Sequence, residues 1–129
     1  MTLPLLDKQY LTDRQINHEV VSDSGMTCVV FPGWRLPPGL SAGEADVLLR
    51  LTPGYPDIPP DMWWVCPKLL RSDGSVIPAT EVHETYLGRG WQRWSRHFQA
   101  GQWQAGTDGL ESYLALVRAE FCTAARGAS

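Results

Sequence analysis

A chain of 129 residues that is 43% hydrophobic and 19% charged has the make-up of a single domain with one core, residues 1–129. Its formal charge of -3 and its two lysines, Lys8 and Lys68, exclude the clustered basic surface of a nucleic-acid binder. No apolar run is long enough to span a membrane, and the opening MTLPLLDKQY lacks the basic and long apolar regions of a signal peptide. Cys28, Cys66 and Cys122 are odd in number and widely spaced, which suits reduced thiols and a cytoplasmic location.

Taken in chain order, Asp7 to Gln15 predicts a short helix with Tyr10 and Leu11 facing inward. His18 to Val21 predicts a strand, ended by the turn signal Ser22-Asp23-Ser24-Gly25. The β-branched run Met26 to Phe31 predicts its hairpin partner, and Pro32-Gly33 and Pro37-Pro38-Gly39 punctuate the connection that follows. From Ala45 to Leu51 apolar residues alternate, with Ala45, Val47, Leu49 and Leu51 on one side, so a third strand is expected.

The next segment, LTPGYPDIPPDMWWVCP, carries the doublet Pro59-Pro60. Proline lacks an N–H and fixes φ, so the doublet reads as a rigid, extended connection between strands. Asp61 to Cys66 is then a fourth strand, on which the adjacent Trp63 and Trp64 point to opposite faces. Residues 68–106 are the least regular part, and within them the loop from Gly88 to Trp103 is expected to be ordered by Trp91, Trp94 and Trp103 packed on the last helix. That helix is marked by Leu110, Tyr113, Leu114, Val117 and Phe121 in one stripe, with Asp108 and Glu111 as a capping box or Thr107 as the cap. The fold class expected is α+β: a four-stranded antiparallel meander packed on a C-terminal helix, with Val20, Val29, Val47, Leu49, Leu114 and Val117 in the core.

The Tyr55-Pro56…Pro59-Pro60 link, followed by Trp103 just before the capped helix, resembles the ubiquitin-conjugating enzyme superfamily. The segment WQRWSRHF is similar to its bacterial branch, prokaryotic family E, and the resemblance spans roughly residues 16–122. In that superfamily the catalytic cysteine lies eight residues before the tryptophan, and here the matching position is Ser95. The His-Pro-Asn tripeptide of the superfamily is absent, and the nearest histidine is His83. The resemblance implies a protein that receives a ubiquitin-like protein from an adenylating activating enzyme and passes it to a protein target. It also implies a place in a bacterial antiphage or stress system, and no cofactor. The alternative is a catalytically inert module that binds the ubiquitin-like protein or another partner.

The candidate site residues are therefore Ser95, His97 and His83. A serine hydroxyl is a poor nucleophile until a base takes its proton, and His97, two residues on, is the base expected. Arg96 and backbone amides would stabilise an oxyanion, and the product would be an oxyester. The plainer reading is that Ser95 caps a turn in a tryptophan-packed loop. His83 with Glu84 is a candidate polar support for the site, against an ordinary surface histidine. Cys66 is the rival nucleophile, but its apolar neighbours favour a buried structural thiol. His18, His83 and His97 match no metal-binding spacing, so no metal is expected.

Overall fold

The computed structural model describes residues 3–98 and 101–127. Ser24 and Gly25, both at positive φ, turn β1 (Glu19–Asp23) back on β2 (Met26–Arg35). A long connection leads to β3 (Glu44–Leu51), and the proline link leads to β4 (Trp63–Cys66). Helix α1 (Leu5–Asp13) precedes these strands. The sheet does not stop at four strands. Residues expected to be irregular form a hairpin, β5 (His83–Tyr86) and β6 (Arg89–Trp94), before α2 (Leu110–Ala125). The sheet order is β1-β2-β3-β4-β6-β5, and every neighbouring pair is antiparallel. The fold is α+β as expected, but the four-stranded meander is corrected to six strands.

The hairpin escaped the sequence reading because its inward side chains are not aliphatic. Its burial is supplied by Trp91, Gln92 and Trp94 on β6, while β5 is an edge strand with exposed His83 and Thr85. Leu87 and Gly88, at φ 55 and 79, form the turn between the two strands.

The two faces of the sheet are closed differently. On one face Val29, Phe31, Val47, Leu49, Trp63, Val65 and Trp94 pack with Leu110, Tyr113, Leu114, Val117 and Phe121 of α2. The stripe predicted on α2 is therefore the buried one. On the other face Cys28, Val30, Leu48, Trp64 and Trp91 form a smaller cluster, to which neither helix of the described residues contributes a side chain. Trp63 and Trp64 thus separate to opposite faces as their adjacency requires, and Trp91 joins the face away from α2. Arginines lie over this second cluster: Arg50 stacks on Tyr86 at 3.8 Å and Arg89 on Trp91 at 4.2 Å.

Other expectations need correction. Val20 is 38% exposed because β1 is an edge strand with little packed against it. Pro32-Gly33 does not end β2, which continues to Arg35 through a register shift between Phe31 and Trp34. The proline link is extended only in its second half, since residues 53–57 form a turn closed by Tyr55 N–H to Thr52 O and Ile58 N–H to Gly54 O. The α2 cap is neither Asp108 nor Thr107. Gly109 occupies the cap, its N–H donates to Ser112 Oγ, and Leu110 N–H donates to Asp7 Oδ1 at 3.0 Å. Asp108 instead accepts from Gln104 N–H. A Cβ at Gly109 would lie 2.7 Å from Asp7 Oδ1, so glycine is what lets the α1 carboxylate reach the helix end.

Candidate functional site

The site is assembled where β6 ends beside β4. Trp63 pairs with Trp94 across the two strands, so residues 61 and 62 run alongside residues 95–97. Past Trp94 the chain bends: Arg96 N–H returns to Trp94 O at 3.1 Å, which makes Ser95 the central residue of a tight turn. Ser95 N–H donates to Ala79 O at 3.0 Å, and Arg96 O accepts from Met62 N–H at 3.3 Å. These bonds fix the backbone around Ser95 without regular structure.

Ser95 is half-buried, and its Oγ accepts from Arg93 Nε at 3.3 Å. Arg93 also pairs with Glu84 Oε1 at 3.6 Å, and that oxygen accepts from Trp64 Nε1 at 2.8 Å. A guanidinium against a hydroxyl oxygen favours the alkoxide and any oxyanion formed there, but it cannot take the proton. Arg96, the oxyanion partner expected from the sequence, is bound instead to Glu120 of α2 at 2.8 Å and lies over Trp94.

His97 is exposed, and its Nδ1 lies 2.6 Å from Asp61 Oδ1. An ionised carboxylate can only accept, so facing one Nδ1 is the donor, and Nε2 is the ring nitrogen that Asp61 does not engage. Among the described residues no hydrogen bond joins Ser95 to His97, although the two share one loop. Beneath them Tyr113 of α2 donates to Met62 O at 2.9 Å. Burial first, and then the Asp61 charge, pushes its hydroxyl well above the usual phenol range.

His83 is not brought into this group. It sits exposed on β5 opposite Gln92, which is three residues or roughly 10 Å along β6 from Ser95. Its neighbour Glu84 is the one that reaches the site, through Arg93. Cys66 is half-buried at the end of β4, and Cys28 lies in the helix-free cluster, where burial pushes its thiol up. Among the described residues no three His, Cys, Asp or Glu side chains gather to hold a metal ion.

Asp61 and Arg93 were not picked out from the sequence. Arg93 had a signal: in a strand, residues two apart share a face, so Arg93 would have been placed beside Ser95 had RGWQRW been read as one. Asp61 had none, because it meets His97 across 36 positions of chain.

Trp103 links the site to the proline segment. Its Nε1 donates to Pro56 O at 2.9 Å, and its ring lies 6.3 Å from Tyr55 and 5.5 Å from Phe98. Phe98 in turn lies 5.7 Å from Tyr113. The proline link, the tryptophan and the start of α2 are thus one packed unit at one end of the sheet. Residues 99 and 100, part of the expected ordered loop, lie outside the described residues.

Neither a curated protein nor a solved structure matches the chain. The family described as prokaryotic E2 family E matches it over residues 3–124, from the start of α1 almost to the end of α2. The chain belongs to that family, and with it to the proteins of ubiquitin-like conjugation.

Proposed function

We propose that this protein carries a ubiquitin-like protein as an oxyester on Ser95, with His97 as the base. The observation that supports the reading best is the His97–Asp61 pair at 2.6 Å, two residues beyond a serine whose oxygen already meets a guanidinium. Asp61 would set the tautomer of His97, and Arg93 would steady the negative charge on oxygen. In the step proposed, Ser95 Oγ attacks the activated C-terminal carbonyl of the ubiquitin-like protein on its adenylating activating enzyme. The new C–O bond replaces the bond to the leaving group, which departs with its electron pair, and the Ser95 proton passes to His97 Nε2. A target protein would then take the acyl group. The imidazole would have to swing onto the serine when the partner docks, a motion open to an exposed side chain.

The test uses the activating enzyme, the ubiquitin-like protein and ATP. The adduct is expected to survive thiol reductants and to break in alkali or hydroxylamine. Ser95→Ala is expected to abolish it. Ser95→Cys is expected to give a thiol-sensitive adduct, since a thiolate needs less activation than a hydroxyl. His97→Ala and Asp61→Asn are expected to slow loading by about 10²-fold or more without lowering the melting temperature much. An adduct that is lost in Cys66→Ala and kept in Ser95→Ala refutes the assignment.

A second reading has its own observation. Ser95 is the centre of a tight turn, with its N–H tied to Ala79 and its hydroxyl already engaged by Arg93. Those bonds suit a structural serine in an inert binding module. That reading predicts partner binding unchanged in Ser95→Ala and no adduct with any matched activating enzyme.

A further inference from the structure

Among the described residues, five other than glycine are held at positive φ: Gln15, Ser24, Met62, Ala79 and Leu87. Gln15, Ser24, Ala79 and Leu87 all lie in turns, where a change of direction accounts for them. Met62 does not. At φ 62 it leads straight into β4. A long side chain in the left-handed region is costly, and it persists only where its surroundings force it. For Met62 those surroundings can be named.

Its N–H donates to Arg96 O at 3.3 Å, and its carbonyl accepts from the hydroxyl of the buried Tyr113 at 2.9 Å. The two bonds pin the planar peptide units on either side of the Met62 Cα, and only φ and ψ are free between such units. The N–H belongs to the unit that joins Asp61 to Met62, and the Arg96 carbonyl to the unit that joins Arg96 to His97. The carboxylate and imidazole that meet at 2.6 Å therefore stand on Cα atoms next to the two bonded units. From Trp63 onward β4 is fixed by its pairing with β6. A Met62 relaxed to negative φ would turn the unit before it out of the bond to Arg96 and carry Asp61 with it. Tyr113 opposes this from α2. Its ring lies 6.2 Å from Trp63 and 5.7 Å from Phe98, and its hydroxyl, with ionisation pushed well above the phenol range by burial, stays a donor throughout the neutral range.

We propose that Tyr113 is a positioning residue for the Asp61–His97 pair, acting through the left-handed backbone of Met62. The use of that pair in loading rests on the oxyester reading; the holding of the pair does not.

The test begins with Tyr113→Phe in the full chain, which removes the hydroxyl and keeps the ring. One readout is the tautomer of the neutral His97 ring, from its ring-nitrogen NMR shifts. The other is the rate of adduct formation with the activating enzyme, the ubiquitin-like protein and ATP. The unaltered protein is expected to show the Nδ1–H tautomer. In Tyr113→Phe the tautomer is expected to move toward that of Asp61→Ala, where the pair is absent, and loading to slow about fivefold. Met62→Gly and Met62→Ala both remove the Met62 side chain, but only glycine takes the left-handed geometry without strain. In the Tyr113→Phe background Met62→Gly is therefore expected to restore the tautomer and most of the rate, and Met62→Ala to restore neither. Glycine would not repair a general loss of stability, so the rescue separates positioning from structure. A thermal melt of each variant verifies folding. Should Tyr113→Phe fail to fold, Met62→Ala alone is expected to shift the tautomer and Met62→Gly alone to keep it. An unchanged tautomer in folded Tyr113→Phe, or a shifted one that Met62→Gly does not restore, overturns the proposal. A tautomer that shifts and is rescued, while loading is unchanged or absent throughout, upholds the positioning and refutes the oxyester reading instead.

Discussion

Asp7 is the residue on which three distant parts of the chain depend. Only 5% exposed, its carboxylate accepts from Tyr55 Oη at 2.6 Å and from Leu110 N–H at 3.0 Å. One acid thus caps α2 from outside the helix, favours its positive end, and pins the proline link to α1. Asp7→Ala leaves one buried and one part-buried donor without an acceptor, and is expected to lower stability by about 3 kcal/mol in urea denaturation. Asp7→Asn keeps one acceptor oxygen and is expected to lose about half of that. Equal, negligible losses would mean that water replaces the carboxylate. Nothing local in LLDKQY marks Asp7, because its role exists only once residues 55 and 110 arrive. The candidate site shows the same limit. Ser95 is proposed from its eight-residue spacing to Trp103 and His97 from lying two residues on, whereas Asp61 meets His97 only through the pairing of β4 with β6. His83 is proposed as the histidine nearest the place of the missing tripeptide, and its edge strand sets it opposite Gln92, apart from Ser95.

At the level of elements, a strand could be read where one face is aliphatic and not where burial is aromatic or polar. β3 alternates aliphatic residues on the helix face, and its predicted span differs from the observed one by a single residue. In β6 the inward positions are Gln92 and Trp94. Gln92 is 3% exposed because its amide bonds both N–H and C=O of Leu69 and also accepts from Trp94 Nε1. A glutamine used as core is invisible to a hydrophobic pattern. The hairpin turn offers a test of the strand assignment. Leu87 is held at φ 55 ahead of Gly88 at φ 79, the backbone of a two-residue turn that favours Asn-Gly. A branched residue there is strained, and the side chain is 37% exposed. Leu87→Asn is expected to raise stability by about 1 kcal/mol, read as a higher urea midpoint with an unchanged slope. A lower midpoint would show that the Leu87 side chain contributes more by packing than the turn loses by strain.

For the molecule as a whole, one sheet is sealed by helices on one side and by its own side chains on the other. This accounts for the six tryptophans: Trp63 and Trp94 fill the helix face, Trp64 and Trp91 the opposite one, and Trp34 and Trp103 close the ends of the core. The same construction buries acids that titrate in alkali. The Tyr55 hydroxyl is pushed well above the usual phenol value of 10.0, by burial first and then by the bond and charge of Asp7. Tyr113 is raised by burial and then by Asp61, and the Cys28 thiol is raised chiefly by burial. In each case the folded state holds the proton more tightly than the unfolded chain. The stability they contribute is therefore fully present at neutral pH. It is lost as pH rises past the unfolded values, about 8.5 for a thiol and about 10 for a phenol, toward the higher folded ones. The melting temperature is expected to stay level from pH 7 to about 8 and then to fall, most steeply above about pH 10. The double variant Tyr55→Phe/Tyr113→Phe loses two hydrogen bonds and is expected to melt lower at pH 7, yet to decline less between about pH 9.5 and 11. A decline as steep as that of the unaltered chain would place the alkaline sensitivity outside these two hydroxyls.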